Sequence, residues 1–120
     1  IMQVKIIHPA LIGHSNLLEL CNTFRRTGFF IKPKFFGIVI KSLKKVPQQN
    51  PAIVTSLVGR NWVTLPPMPG VPEFADVAQV ITFANEADAA GYAESAAHVA
   101  LREATDHLIE KVVGAEFVQD

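Results

Sequence analysis

The chain lacks most of the features that assign a protein to a class at first sight. Cys21 is the one cysteine among 120 residues, which excludes an internal disulfide and a zinc site built from several cysteines. Outside the acidic C-terminal region the longest apolar run lies at 35–40, far short of the ~20 residues that a helix needs to cross a bilayer. We therefore expect a soluble protein in an intracellular, reducing compartment rather than a secreted one.

Motifs of known chemistry are missing as well. The sequence has no Gly-rich phosphate loop, no dinucleotide fingerprint, no metalloprotease helix and no calcium loop. Gly13 and Ser15 have the spacing of a nucleophile turn, but Leu17 stands where that turn needs a second glycine. Ser15 is better explained as a helix N-cap. The sequence thus predicts no metal and no cofactor, nominates no catalytic residue, and does not favour an enzyme.

Acidic residues are almost absent from the first part of the chain. Residues 1–72 contain nine Lys and Arg against one acid, a charge of +8, whereas 73–120 contain two against ten, a charge of −8. We expect one domain over 1–120, with a basic half at 1–64, a proline-rich connector at 65–72 and an acidic half at 73–120. Such asymmetry indicates oppositely charged surfaces that meet partners, unless the halves fold together and neutralise each other.

The pattern of apolar residues predicts the elements of the fold. A helix from Ser15 to Gly28 carries one apolar face, and a long helix from Asn85 to Gly114 has an acidic first turn and a stripe of small apolar residues. Gly91 is a weak point in the long helix, and the alternative is a helix that begins only after it. In the long helix, Glu94–His98 and Glu103–His107 are spaced as surface pairs. Strands are expected at 2–7, 35–43, 52–58 and 77–83, with a reversal at 59–61 into 62–65.

These elements favour an α+β two-layer sandwich. It would contain a mainly antiparallel sheet of four to five strands, with a short N-terminal helix and a long C-terminal helix on one face. A ferredoxin-like variant fits if 116–118 adds a final strand.

The segment from Arg25 to Lys45 is the candidate site. It combines seven basic residues and no acid with four phenylalanines. Cations attract phosphates and aromatic rings stack on bases, although the rings would instead belong to the core if the lysines only solvate a sheet edge. The candidate residues for binding a partner or nucleic acid are Arg25, Arg26, Phe29, Phe30, Lys32, Lys34, Phe35, Phe36, Lys41, Lys44 and Lys45.

Three functions remain open on this basis. The sequence favours a non-catalytic structural subunit of a larger assembly, which docks on proteins or on copies of itself through the basic-aromatic segment and the acidic C-terminal helix. The first alternative is an RNA- or DNA-contacting protein that uses Arg25–Lys45. The second alternative is a small α+β enzyme or ligand-binding domain with its pocket between sheet and helices.

Overall fold

The fold is an antiparallel sheet with helices on one face. A computed structural model describes residues 21–63, 66 and 68–119. The strands are β1 (Thr23–Ile31), β2 (Ile53–Arg60), β3 (Val77–Phe83) and β4 (Ile109–Val118), and the helices are α1 (Phe36–Gln49), α2 (Glu86–Ala90) and α3 (Ala96–Thr105). Short 3-10 turns lie at Pro33–Phe35, Tyr92–Glu94 and Asp106–Leu108. The predicted strand at 2–7 and the predicted helix start at Ser15 lie outside the described residues.

The four strands pair in the order β2-β3-β1-β4, and every pair is antiparallel. With α1 between β1 and β2 and α3 between β3 and β4, the topology is that of a ferredoxin-like fold. The predicted α+β sandwich is therefore confirmed, including the final strand on which the ferredoxin-like variant depended. Within the described residues, no helix combines the length and the apolar character needed to cross a bilayer.

The core lies between the helices and one face of the sheet. From the helices, Val39, Leu43 and Val46 of α1 and Ala97 and Leu101 of α3 are buried. They form one cluster with sheet residues, which are Phe29, Ile31, Ile53, Val77, Ile81 and Phe83. The helices are thus stabilised by the apolar surface that they remove from water at this one face.

Residues 35–43 were predicted as a strand, and this is wrong, because α1 covers them. The β-branched run at 38–40 favours a strand locally. Its buried positions, however, are Val39, Leu43 and Val46, which follow the i, i+4, i+7 spacing of a helix. The lysines at 41, 44 and 45 occupy the exposed side. Tertiary burial along a helical stripe overrides the local strand preference.

The predicted helix up to Gly28 is wrong in its described part, where β1 runs instead. Gly28 does not end a helix, because it lies inside β1 opposite Val113 of β4. A Cβ at this position would come within 2.7 Å of the Cβ of Ala75. Glycine is therefore required by close packing and not by a helix stop. Cys21 is buried, and its Sγ donates to Thr82 Oγ1 at 3.4 Å.

The predicted helix over 85–114 is divided into several elements. Asn85 is an N-cap as expected, since its side chain accepts a hydrogen bond from the Asp88 amide at 2.8 Å, but Gly91 follows the last residue of α2. Ser95 caps α3 anew, and from Ile109 the chain is strand β4. The segment 109–118 is rich in β-branched and aromatic residues, which favour a strand.

The reversal predicted at 59–61 is not followed by a strand in the described residues. Trp62 and Val63 belong to no strand, and Thr64 and Leu65 lie outside the described residues. β2 extends to Arg60, and β3 covers 77–83 as predicted.

Candidate functional site

A cavity of about 280 Å³ lies between the sheet and α3. It is closed on one side by β1, β3 and the start of β4, and on the other by α3 and the turn that precedes it. We call it the covered cavity. Its lining residues are Arg25, Thr27, Phe29, Gln79, Tyr92, His98, Leu101, Arg102, Thr105, Asp106, Ile109 and Val112.

The register of the strands shows which residues form the floor of the covered cavity. Successive side chains of a strand point to opposite faces of the sheet, so Arg25, Thr27 and Phe29 of β1 lie on the helix side. Thr27 is paired with Gln79 of β3. The floor therefore combines a cation, a hydroxyl and an amide with an aromatic ring.

Gln79 is fixed by a proline in α1. Pro47 lies inside the helix and has no N–H, so the carbonyl of Leu43, four residues earlier, loses its helical donor. The Gln79 side chain supplies one, because its Nε2 donates to Leu43 O at 3.3 Å. This hydrogen bond to the carbonyl that Pro47 leaves without a donor orients the buried amide of Gln79 in the cavity floor.

Tyr92 and His98 form the helix-side wall, and Ser95 joins them. Ser95 Oγ donates to Tyr92 O at 2.6 Å and accepts from the His98 amide at 3.3 Å as the N-cap of α3. The two rings lie 4.8 Å apart between centroids at an interplanar angle of 56°. This arrangement holds a phenol and an imidazole side by side at the start of a helix.

His98 has a defined tautomer. Its Nδ1 lies 3.0 Å from Ala93 O, and a carbonyl oxygen only accepts, so Nδ1 carries the hydrogen and donates. In the neutral ring, Nε2 then holds the lone pair and is the basic atom of this wall. Burial lowers the pKa of His98 below 6.5, with a further lowering by the Arg25 and Arg102 charges, against the opposing effects of the Ala93 carbonyl and Asp106. The ring is therefore mostly neutral at pH 7.

Tyr92 is a protonated hydrogen-bond donor. Burial raises the pKa of its hydroxyl above 10.0, and the charge of Arg25 only partly offsets this. Within the described residues the hydroxyl makes no hydrogen bond, and no buried side-chain polar atom there lacks a partner. Tyr92 as a whole is 2% exposed, so the surface that its hydroxyl presents is small, and Tyr92 lines the covered cavity.

Two ion pairs flank the cavity. Arg25 Nη1 lies 3.1 Å from Glu116 Oε1 across the β1–β4 pair, which joins the basic and acidic halves. The Arg25 Cζ also lies 5.0 Å from the centroid of the Tyr92 ring. At the rim, Arg102 Nε bonds to Asp106 Oδ2 at 2.9 Å along the helix.

This arrangement can move a proton. A neutral imidazole with a free Nε2 lone pair is a general base, and an adjacent protonated phenol can donate to an oxygen on which charge develops. In the part of the chain that the structure describes, no three His, Cys, Asp or Glu side chains are grouped as metal ligands.

The other face of the sheet carries a shallow groove of about 450 Å³, which we call the open groove. Small and apolar residues dominate it, with Phe74 above them. Its lining residues are Arg26, Thr27, Gly28, Glu73, Phe74, Ala75, Ala78, Gln79, Val80, Val113, Gly114 and Ala115.

The candidate residues of the basic-aromatic segment are distributed over several surfaces. Arg25 and Phe29 line the covered cavity, and Arg26 lines the open groove on the opposite face. Phe30 is half-buried below Lys111, and the partly buried Phe35 and Phe36 pack on the core. The exposed lysines are Lys32 and Lys34 around the 3-10 turn and Lys41, Lys44 and Lys45 on α1.

The residues that define the cavity wall were missed by sequence reasoning. His98 was predicted to form a surface pair with Glu94, but it bonds to the Ala93 carbonyl and contacts Tyr92. The available signal was Ser95, a helix N-cap placed three residues after Tyr92 and three before His98. That signal fixes the start of α3 and brings both rings to one helix end.

The protein is a ferredoxin-like domain with a cavity between its sheet and α3. The model of the Dabb family, the stress-responsive A/B barrel domain, matches residues 32–119, and the chain belongs to this family. No curated protein matches the chain in sequence.

Several solved structures share the fold. A dimeric ferredoxin-like protein of unknown function from Thermobifida fusca is 18% identical, with 82% of this chain and 91% of that chain covered at a TM-score of 0.65. The hydroxynitrile lyase from Passiflora edulis is 16% identical, with 82% and 94% covered at 0.62. A protein from Nitrosomonas europaea, provisionally named an antibiotic biosynthesis monooxygenase, is 11% identical, with 82% and 90% covered at 0.63. At these identities the likeness shows the fold alone.

The predicted non-catalytic structural subunit is wrong. Membership of the Dabb family contradicts this prediction and agrees better with the second alternative, an enzyme or ligand-binding domain. The acidic C-terminal helix required for docking does not exist as one element, and Phe29 of the basic-aromatic segment belongs to the core. Nothing supports the nucleic-acid alternative.

Proposed function

We propose that the domain binds a small, largely apolar molecule in the covered cavity and catalyses a proton transfer on it. The observation that carries this proposal is the hydrogen bond from His98 Nδ1 to Ala93 O, because it leaves a basic Nε2 on a cavity-lining ring whose centroid lies 4.8 Å from that of the Tyr92 ring. The volume of about 280 Å³ is at the lower end of ligand pockets and suits a single-ring molecule.

The proposed step is the removal of a proton from a carbon next to a carbonyl group. The C–H bond breaks, an N–H bond forms at His98 Nε2, and the electron pair moves onto the carbonyl oxygen as an enolate. The Tyr92 hydroxyl donates a hydrogen bond to that oxygen and stabilises the developing charge. Return of the proton from His98 to carbon regenerates the base, so the step needs no oxidant or reductant.

The names of similar proteins support small-molecule chemistry on this fold. One is a hydroxynitrile lyase and another is provisionally named a monooxygenase. A fold hosts many reactions, so the assignment of proton transfer depends on the Tyr92–His98 geometry of this chain.

Solvent exchange tests the proposal. Phenylacetone in D₂O serves as the probe, and NMR follows the incorporation of deuterium next to its carbonyl. We expect the protein to accelerate exchange above the buffer rate, and His98→Gln to reduce this acceleration by about 100-fold or more, since a positioned base contributes on the order of 10²–10⁴.

His107→Gln is the matched control, because His107 is exposed and is not part of the cavity lining. It should exchange the probe at the wild-type rate. Equal rates for His98→Gln and wild type would contradict the proposal.

We further propose that the domain pairs with a second copy through the open face of the sheet. The open groove is lined mainly by small and apolar residues, and Leu57 and Phe117 are exposed hydrophobic residues near it. Two structures of similar fold are named as dimeric. A second copy that covered the open face would remove this apolar surface from water.

A charge placed in the open groove tests this pairing. Val113 is 42% exposed in the groove, and Val99 is 46% exposed on α3. We expect Val113→Lys to shift the mass measured by light scattering toward the monomer, whereas Val99→Lys should not. A monomeric wild type at high concentration would rule the pairing out.

A further inference from the structure

Arg25 is the most enclosed cation of the covered cavity. Its side chain is 24% exposed, whereas that of Arg102, the other cavity arginine, is 64% exposed at the rim. Electrostatic interactions strengthen where water is excluded. A charged ligand in this cavity therefore meets Arg25 as its main electrostatic partner.

The guanidinium of Arg25 is held but not saturated. One bond, from Nη1 to Glu116 Oε1 at 3.1 Å, fixes one corner of the group, and its Cζ lies over the Tyr92 ring. A guanidinium has five N–H donors in a plane, and within the described residues Glu116 uses one. The remaining donors form the fork that recognises a planar oxyanion in two-point geometry.

An apolar region lies beside this cation. Phe29, Leu101 and Tyr92 line the same cavity. Their apolar side chains offer contacts to a ring, just as Arg25 offers an ion pair to a charged group. Arg25 and Phe29 are both on the helix side of β1, with Thr27 between them. The cavity thus has a cationic end and an aromatic body at the scale of one ring.

We infer that the ligand of the covered cavity carries an anionic oxygen group, of the carboxylate or phenolate type, attached to a small apolar body, and that Arg25 binds this group. This inference rests on the proposed function, because it names the substrate class of the same cavity. Arg25 is then the residue that makes the site select anions over neutral molecules.

Benzoate and benzamide are the probes, since they have nearly the same shape and differ in charge. Dissociation constants are measured by protein NMR titration at pH 7.5, where His98 is neutral and adds no positive charge. We expect wild type to bind benzoate at least 10-fold more tightly than benzamide. Arg26→Met is the matched control, because Arg26 lies on the opposite face of the sheet, and it should keep that preference.

Arg25→Met alone leaves Glu116 unpaired, so the decisive variant is Arg25→Met combined with Glu116→Gln, which removes both charges together. We expect this double variant to bind the two probes within about twofold of each other. Glu116→Gln alone releases the guanidinium and should tighten benzoate binding severalfold. The inference would be overturned if Arg25→Met lost the preference for benzoate over benzamide and the double variant regained it. It would also be overturned if the wild type bound both probes equally.

The two proposals fail in different ways. Equal binding of benzoate and benzamide, together with exchange that depends on His98, removes the anion preference and leaves the proton-transfer site. Absence of binding by either probe at millimolar concentration, together with exchange at the buffer rate, removes the ligand site itself and both proposals with it.

Discussion

The two faces of the sheet are built from alternate residues of the same strands, and they differ in kind. On the covered face, β1 contributes Arg25, Thr27 and Phe29, and the helices enclose them in a cavity with polar groups at fixed positions. On the open face, Gly28 of the same strand lies in a shallow groove. Polar side chains under helices suit recognition of a small molecule, whereas a nearly flat face of small residues suits another protein surface.

Neighbouring arginines illustrate the difference. Arg25 is oriented by Glu116 and Tyr92 inside the covered cavity, whereas Arg26 is exposed on the other side. Arg25 and Arg26 are chemically alike in the sequence, but in the fold they lie on opposite faces of the sheet. The comparison predicts that substitutions on the two faces will affect different properties.

The largest expected effect concerns a matched pair of leucines. Leu43 of α1 is fully buried in the core, while Leu57 is 40% exposed and pairs with Val80 of the open groove. Leu43→Ala should lower the free energy of unfolding by about 2–5 kcal/mol, and Leu57→Ala by about 0.5 kcal/mol or less in the monomer. Denaturant titrations at low protein concentration measure both, and similar losses would mean that the open face also belongs to the core.

The next effect concerns the chemistry assigned to the covered face. Tyr92→Phe keeps the ring and its contacts with Phe83 and His98 but removes the hydroxyl donor. We expect exchange of the phenylacetone probe to slow by about 100-fold, since one donor to a developing oxyanion contributes on the order of 10²–10³. Arg26→Met, on the open face, should leave the rate unchanged, and an unaltered rate in Tyr92→Phe would exclude its hydroxyl from the step.

The sequence allows the class of fold to be predicted, but not which segments form its helices. The β-branched residues concentrated at 77–83 and 52–58 are strong local signals for strands, and β3 and β2 follow them. At 109–118 the β-branched and aromatic residues agree with strand β4, and the predicted helix followed the helical spacing of apolar residues instead. At 36–49 the local preference and the final structure conflict, because burial against the rest of the sheet decides for a helix. Such long-range contacts leave no trace in a short window.

Of the covered cavity, the sequence indicated Arg25 and Phe29 but not the residues that surround them. Arg25 was selected for its charge, whereas its significance comes from Glu116, which lies 91 positions further along the chain. The role of His98 depends on one hydrogen bond to Ala93 O, which requires the division of the predicted long helix at 91–95. Two residues in the sequence indicate that division: Gly91, which is a weak point in a helix, and Ser95, a recognisable N-cap.

A pH dependence of stability is expected from the covered face. The unfolded chain protonates His98 near 6.5, and burial lowers the pKa of the folded state below that value. As the pH falls through 6.5, the unfolded state takes up more protons, so the folded state loses stability. We expect the free energy of unfolding to decrease less between pH 7 and pH 5 in His98→Gln than in wild type, as followed by denaturant titration; equal decreases would contradict the lowered pKa.

The smallest expected effect concerns the open face, where Phe117 of β4 stacks on Phe24 of β1. Their ring centroids are 5.1 Å apart and the rings are 6° from parallel. Phe117 is 46% exposed and Phe74 is 50% exposed, and within the described residues Phe74 stacks on no ring, so Phe74→Ala is the control. We expect Phe117→Ala to cost about 1 kcal/mol more than Phe74→Ala, since an aromatic pair contributes about 0.5–1.5 kcal/mol beyond its buried area. Thermal unfolding of monomeric samples measures this difference. If both variants lose the same free energy of unfolding, then backbone pairing and the Arg25–Glu116 ion pair hold β4 in place, and the stacked rings do not.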